Sequence, residues 1–102
     1  MKKHTVYIGL NDKEEKKQLF TTEKALSIVE GIFLDVIGGA TISEARGIYT
    51  HENGQKVIEN TLRVETFGAD DDAIRFCVEY LKKALNQEAI AVESVESNSV
   101  FM

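Results

Sequence analysis

Three glutamates could carry acid-base chemistry, since a carboxyl group whose pKa is raised by its surroundings can exchange a proton near neutral pH. They are Glu44, Glu59 and Glu65, and all three fall within one stretch of alternating residues. Arg46 and Arg63 are interleaved with them, and opposite charges across a strand pair stabilise that pair modestly. We therefore expect these glutamates to form ion pairs, and no catalytic residue is assigned.

The other reactive side chains form no recognisable metal or nucleophile pattern. His4 and His51 lack the spacing of a ligand pair, so both are expected to be solvated, and no metal or other cofactor is predicted. Cys77 lies between Ile74 and Leu81 at helical spacing. This position indicates a core residue rather than a nucleophile, which would need a base and electropositive surroundings.

The glutamates belong to a predicted β-hairpin that spans residues 38–67. Asn53-Gly54 favours a two-residue type I′ turn between two alternating runs. With that turn Tyr49 lies opposite Ile58, and a slip by two residues would keep the same faces. One face is then mostly apolar. The other face carries five charged residues, namely Glu44, Arg46, Glu59, Arg63 and Glu65.

Two amphipathic stretches predict helices on either side of the hairpin. The first begins at Thr21 or Thr22 and ends at Gly38-Gly39, which lacks the remainder of a phosphate-binding fingerprint. The second begins at Asp70-Asp71-Asp72 and ends near Lys82 and Lys83, so both of its ends match the helix dipole. The acidic run is therefore interpreted as a helix start in preference to a magnesium site.

Outer strands are predicted at residues 3–10 and 89–95, where apolar and polar side chains alternate. The order strand, helix, strand, strand, helix, strand predicts an α+β ferredoxin-like βαββαβ fold, with a four-stranded antiparallel sheet and both helices on one face. Residues 1–102 form one domain by this prediction. The other sheet face predicts a subunit interface, and the apolar residues 100–102 either fold back or pack on a neighbour.

The composition excludes several classes of partner. The formal net charge is −5 and the pI is near 5.0, which argues against nucleic acid as a partner. A single cysteine cannot close an internal disulfide, and the N-terminal residues reach charged side chains before an export signal could form. A cytoplasmic location without membrane contact is therefore expected.

Two segments resemble the PII signal-transduction superfamily. GATISEARGIYT resembles the second strand of these proteins, and TLRVETFGADDDAIRFCVEYLKKAL resembles their third strand and second helix. The resemblance implies a ferredoxin-like trimer that binds a small ligand, commonly a nucleotide, in clefts between subunits. The positions that match the family's ligand-binding strand are Thr41, Gly47, Ile48, Tyr49 and Thr50.

The chain also departs from the PII pattern. A tight HENGQ turn replaces the long partner-binding loop, and Asn86-Gln87-Glu88 stands where PII proteins have a basic phosphate-gripping segment. The short connection at residues 11–18 (NDKEEKKQ) is expected to be a solvated loop, with a ligand-gripping loop as the alternative.

Three functional hypotheses follow. The first is a PII-like, non-enzymatic homo-oligomer that binds a small ligand or a protein partner in signalling, with a trimer favoured over a dimer. The second is an acidic interaction protein, which a mobile element could encode, that binds a host protein through the sheet face or residues 11–18. The third is an enzyme with an open-faced cleft at Tyr49, His51 and Glu59.

Overall fold

The computed structural model describes all of residues 1–102, which form four strands and two helices. The elements are β1 (Lys2–Gly9), α1 (Thr22–Val36), β2 (Thr41–Thr50), β3 (Lys56–Phe67), α2 (Asp71–Ala84) and β4 (Ala91–Glu96). The strands form one sheet in the order β2-β3-β1-β4, and every neighbouring pair is antiparallel. The predicted α+β ferredoxin-like fold is therefore confirmed. Neither helix is both long and apolar enough to cross a membrane.

Local signals determine where the helices begin and end. The side chain of Thr21 accepts a hydrogen bond from the Lys24 backbone N–H (3.1 Å), and Asp70 accepts one from the Ala73 N–H (2.8 Å), so each helix has an N-cap. Gly38 ends α1 with a φ of 93°, and its N–H donates to the Phe33 carbonyl at 3.0 Å. A glycine is favoured at this point because only it adopts positive φ without a steric cost.

The hydrophobic core lies between one face of the sheet and both helices. Val6, Ile8, Leu62 and Val64 alternate toward the helices along the two central strands, as the period of a half-buried strand requires. Cys77 is fully buried in the same core, as predicted, and this burial raises the pKa of its thiol. The remaining core residues are Leu10, Ala25, Val29, Phe33, Ile74, Val78, Leu81 and Leu85.

The hairpin turn differs from the predicted one. The His51 carbonyl accepts from the Gly54 N–H at 2.9 Å, and the His51 N–H donates to the Gln55 carbonyl at 2.8 Å. Of the two turn residues, only Gly54 has a positive φ, at 84°. The connection is therefore a three-residue loop, a type I turn followed by a glycine in the left-handed region, and not a two-residue type I′ turn.

This extra loop residue shifts the strand pairing by one position. Tyr49 lies opposite Val57 rather than Ile58, and Ile48 lies opposite Ile58. A one-residue shift moves the side chains of one strand to the other face. The prediction of a single charged face is therefore wrong. Glu44 and Arg46 lie on the helix side of the sheet, whereas Glu59, Arg63 and Glu65 lie on the opposite, open face.

The structure corrects the expectation for His4 and decides between the two alternatives for residues 100–102. His4 is buried, with 1% of its surface exposed, rather than solvated. Its Nε2 donates to the Ala69 carbonyl (2.9 Å), which leaves Nδ1 to accept from the Ser94 hydroxyl (2.6 Å). The C-terminal residues fold back to the end of β3, where the Phe101 ring meets the Phe67 ring edge-on at a centroid distance of 6.2 Å.

The Thr66 hydroxyl is buried without a hydrogen-bond partner, and the residue is 2% exposed. A buried polar group without a partner costs on the order of 1 kcal/mol or more, while valine has nearly the same shape. We expect Thr66→Val to raise the free energy of unfolding by about 1 kcal/mol in chemical denaturation. Thr21→Val, which removes the α1 cap, should lower it by about 1 kcal/mol. A loss of stability in Thr66→Val would show that the hydroxyl has a partner.

Candidate functional site

A broad groove of about 1220 Å³ lies at the turn end of the hairpin, and residues of both sheet faces line it. Its walls come from the end of β1 and the loop that follows it, from both hairpin strands with their turn, and from the segment between α2 and β4. These are three separate parts of the chain. The groove is therefore built by the tertiary fold and not by one local motif.

Glu59 lies on the floor of this groove in a space that Gly9 leaves open. Its Oε2 accepts a hydrogen bond from the Asn11 backbone N–H at 3.0 Å. A Cβ atom added at Gly9 would come within 2.3 Å of the Glu59 Oε1 atom. One added at Gly47, which pairs directly with Glu59, would be in ordinary contact with the Glu59 Cγ atom at 3.6 Å, and its close contact would be the Thr61 Oγ1 atom at 2.9 Å. The carboxylate thus lies across the neighbouring strand, where any other residue at Gly9 would collide with it.

The Glu59 carboxylate makes no ion pair, in contrast to the pairing that we expected. The pairing prediction is confirmed for Glu65, which binds Lys3 at 2.9 Å and also Arg63. Lys3 and Arg63 lower the pKa of the Glu65 carboxyl. Glu44 forms no ion pair either, but it lies on the opposite side of the sheet. Of these three glutamates, Glu59 is therefore the one whose charge remains open to a ligand in the groove, and Glu52 of the turn also lines the groove without an ion pair.

Two rings stand beside Glu59 in the groove wall. The rings of Tyr49 and His51 meet edge-on, with centroids 5.2 Å apart, and both residues line the groove. Burial raises the pKa of the Tyr49 phenol, and the negative charges of Glu59 and Glu88 raise it further. Tyr49 therefore stays protonated at neutral pH and can donate a hydrogen bond to a bound molecule.

The loop of residues 11–18 exposes residues 13–17 to solvent, as expected, and it is also held by internal hydrogen bonds. Asp12 is 8% exposed, and its carboxylate accepts hydrogen bonds from the backbone N–H groups of Glu14 and Glu15, both at 3.0 Å. The Asn86 side-chain amide donates to the same carboxylate at 2.8 Å. These donors lower the pKa of Asp12, with the Glu15 N–H as the largest cause. The Gln87 amide adds a bond to the Asn11 carbonyl at 2.9 Å.

The predicted ligand-binding residues divide into two groups. Gly47, Ile48 and Tyr49 line the groove, and Thr50 is the next residue at the end of β2. Thr41 lies at the other end of β2, where it pairs with Glu65. Glu59 was not among these residues, but the enzyme hypothesis placed it in an open-faced cleft with Tyr49 and His51, which also line the groove. Gly9 was not predicted as part of any site. Isolated glycines within two alternating strands were the available signal, since such glycines often mark the close approach of another group.

The structure contains no group of three histidine, cysteine, aspartate or glutamate side chains that could hold a metal ion. The acidic run at the start of α2 has structural roles instead. Asp70 caps the helix, and Asp71 forms an ion pair with Lys2 at 3.0 Å. Lys2 is the main cause that lowers the pKa of Asp71. The prediction of a helix start at this run is therefore confirmed.

Comparison with known proteins gives a structural class but no sequence family. No family model matches the chain, and no curated protein matches it. Phage SAM lyase in complex with S-methyl-5'-thioadenosine is similar to it with a TM-score of 0.71 and 22% identity, over 93% of this chain and 80% of that one. The apo form gives 0.66 and 24%, over 92% and 78%.

CutA1 proteins are also similar in structure. A variant of CutA1 from Pyrococcus horikoshii OT3 gives a TM-score of 0.61 with 16% identity, over 99% of this chain and 87% of that one. CutA1 from Oryza sativa gives 0.58 with 15% identity, over 97% and 84%. The chain thus shares the fold of phage SAM lyase and CutA1, and at these identities the likeness shows the fold alone. The fold that the PII resemblance implied is confirmed, and membership of that superfamily stays a prediction.

The electrostatic contact between Glu59 and Tyr49 can be measured directly. In a background with Tyr7→Phe and Tyr80→Phe, the ultraviolet absorbance of the phenolate reports Tyr49 alone. Glu59→Gln removes a negative charge that opposes phenolate formation, so the Tyr49 pKa should fall toward the ordinary tyrosine value. Glu44→Gln, on the other side of the sheet, should leave this pKa unchanged. Equal titration curves for the Glu59 variant and its parent would contradict the described geometry.

Proposed function

We propose that the protein binds S-adenosylmethionine in the groove and cleaves it as a lyase, with S-methyl-5'-thioadenosine as one product. The observation that carries this proposal is the Glu59 carboxylate, which is fixed on the groove floor between Gly9 and Gly47 and has no cation partner. The shared fold with phage SAM lyase supports the choice of ligand. This proposal makes the small-ligand hypothesis specific and gives the enzyme hypothesis a substrate.

The charge of the ligand suits this groove. A sulfonium sulfur carries a positive charge but no N–H or O–H, so a protein can recognise it only through nearby negative charge and aromatic faces. Glu59 and Glu88 supply the negative charge, and Tyr49 supplies an aromatic ring beside them. The net charge of −5 favours the approach of a cationic ligand over that of a nucleoside triphosphate.

The shape of the groove also suits an adenosine-containing ligand. Its volume of about 1220 Å³ is slightly above the roughly 300–1,000 Å³ of ordinary small-molecule sites, and one side is open. Tyr49 and Val57 are direct cross-strand neighbours on the open face, and they form an apolar wall against which an adenine ring can stack. Thr61 and Gln87 add polar groups to the lining, where a ribose could bind.

The lyase reaction needs no oxidant and no added water. The bond from sulfur to the four-carbon chain breaks, and its electron pair stays on sulfur, which becomes a neutral thioether. The four-carbon fragment then completes its valence by losing a β-proton to a base or by ring closure onto its own carboxylate. Glu59 is placed to hold the sulfonium in both routes and to accept the proton in the first. The identity of the four-carbon product distinguishes the two routes.

The test compares two glutamate variants on opposite sides of the sheet. The wild-type protein should bind S-adenosylmethionine in calorimetry and release S-methyl-5'-thioadenosine, detected by chromatography. Glu59→Gln should weaken binding and turnover at least about tenfold, because a charge-assisted contact contributes roughly 1.5–3 kcal/mol. Glu44→Gln should behave as the wild type. Binding without any product would favour the non-enzymatic regulatory hypothesis, and no binding would contradict the proposal and favour a protein partner.

A second variant tests the position of the carboxylate without removing its charge. Gly9→Ala places a methyl group where Glu59 Oε1 lies, and the flexible end of Glu59 can move aside at small cost to stability. Turnover should therefore fall at least about tenfold while the melting temperature changes little. Gly31→Ala is the matched control, since its methyl group would meet no atom within 4 Å. It should retain full turnover and gain about 0.5–1 kcal/mol of helix stability.

We also propose that the protein acts as a homo-oligomer, with a trimer favoured. Ile48 and Ile58 form a cross-strand pair in the part of the hairpin beyond the helices, yet they are 73% and 65% exposed. Such a pair is typical of a surface that a neighbouring copy covers. Both residues share the face of Glu44 and Leu62, so this second copy would pack on the helix side of the hairpin, opposite the Tyr49 and Glu59 side chains. The fold of the chain is compatible with the trimer that the PII resemblance implies.

Native mass spectrometry tests this assembly. We expect a species of about three times the chain mass of 11.4 kDa. Ile48→Lys should shift the population toward lower masses, because it places a charge in the apolar contact. Phe76→Lys is the control, since Phe76 is an exposed apolar residue of α2 that lies outside the groove. A wild-type protein that stays monomeric at micromolar concentration would contradict the proposal.

A further inference from the structure

The structure points to Lys13 and Lys16 as the group that binds the α-carboxylate of S-adenosylmethionine, an inference that rests on the proposed function. Both lysines line the groove, and neither forms an ion pair within the protein. The lysines that do form ion pairs are Lys2, Lys3 and Lys82, which all lie outside the groove. Arg46 and Lys56 of the hairpin also line the groove without an ion pair, but their strand positions share the helix-side face, away from Glu59. Lys13 and Lys16 therefore supply the unpaired positive charge on the loop that is bonded to Glu59.

The backbone under these lysines is held firmly, so the loop can position their side chains. The Lys13 N–H donates to the Asn86 carbonyl at 3.0 Å, and the Lys16 N–H donates to the Asp12 carbonyl at 2.9 Å. The Asp12 carboxylate accepts hydrogen bonds from two backbone N–H groups of its own loop. The Asn86 amide, which follows α2, donates to the same carboxylate and so attaches the loop to the end of that helix. These bonds reduce the backbone freedom that the loop would otherwise lose on binding a ligand.

Lys16 also has an uncommon backbone conformation, with a φ of 60°. A residue with a side chain rarely adopts this left-handed region, and doing so costs on the order of 1 kcal/mol or more. Asparagine or glycine would fit the position with less strain. The use of lysine at this point is consistent with a side chain that is needed in the groove, since the loop's own hydrogen bonds involve only the Lys16 backbone.

The loop is also joined directly to the carboxylate on the groove floor. Asn11 begins the loop, and its N–H is the donor that binds Glu59 Oε2 at 3.0 Å. Lys13 and Lys16 follow two and five positions later along the chain. In S-adenosylmethionine the α-carboxylate is separated from the sulfonium by a short carbon chain. A site with Glu59 at the sulfonium and lysines from the attached loop at the carboxylate matches this order of charges.

Four probe ligands separate the two contacts. S-Adenosylmethionine has both the sulfonium and the carboxylate, and decarboxylated S-adenosylmethionine has only the sulfonium. S-Adenosylhomocysteine has only the carboxylate, and S-methyl-5'-thioadenosine has neither. A residue that binds one charged group should therefore affect only the two ligands that contain this group. Affinities for all four are measured by calorimetry on the full chain, with S-adenosylmethionine followed at low temperature to limit turnover.

The expected pattern is specific to each contact. The double variant Lys13→Gln, Lys16→Gln should bind S-adenosylmethionine and S-adenosylhomocysteine about tenfold more weakly, with unchanged affinity for the two ligands that lack the carboxylate. Glu59→Gln should show the other pattern, with losses only for the two sulfonium ligands. Lys17→Gln is the matched control, because Lys17 belongs to the same loop but does not line the groove. It should leave all four affinities unchanged.

Two results would overturn the inference while the proposed function stands. One is unchanged affinity of the double lysine variant for S-adenosylmethionine. The other is an equal loss for all four ligands, which would assign the lysines to the shape of the loop and not to the carboxylate. If the wild-type protein binds none of the four, the proposed function fails and the inference fails with it.

Discussion

The register of the hairpin is the constraint on which the open sheet face depends. Because Gly54 takes the left-handed conformation, the turn contains three residues, and the strands pair in the register that brings Glu59 opposite Gly47. Leu62 and Val64 are buried in the core and pair with β1, so they hold the face of β3 and keep Glu59 on the open side. A two-residue turn would put Asn60 opposite Gly47 and would turn Gly47 and Tyr49 of β2 to the helix side. The left-handed Gly54 at the hairpin turn therefore goes with the register that places Tyr49 on the same face as the Glu59 carboxylate.

The charged groups of the open face fall into two sets with different consequences. Near the start of β1, Lys3 and Arg63 share the single carboxylate of Glu65, so all three side chains are held in ion pairs within the protein and one positive charge is in excess. At the groove end of the sheet, Glu59 and the lysines of the 11–18 loop have no ionic partners. Exposed charges that stabilise nothing within the chain are the ones that can act on a ligand, and the fold collects both signs of such charge in one concave region.

The features that could be predicted from the sequence are those that depend on residues close together along the chain. The fold class followed from local signals, such as the caps at Thr21 and Asp70 and the alternation in the strands, which neighbouring residues decide. The turn type was predicted wrongly because Asn53-Gly54 is compatible with both loop lengths, and only the pairing of whole strands decides between them. The buried Asp12 could not be predicted, because its amide partner, Asn86, lies 74 positions away.

A shared fold explains only part of the function, since phage SAM lyase and CutA1 are built on the same arrangement of elements. What distinguishes one protein from another is the set of side chains at the groove. In this chain the most informative position is Gly9, although it has no side chain. Gly9 is the last residue of the central strand β1 and offers no side chain to pack. Its position under the Glu59 carboxylate gives a physical reason for this glycine, because a side chain there would displace the charged group from its present position. At this position the strand loses a side chain that could pack, and the carboxylate gains the space that it occupies. Such a loss of packing is expected where a residue is selected for a site instead of for stability.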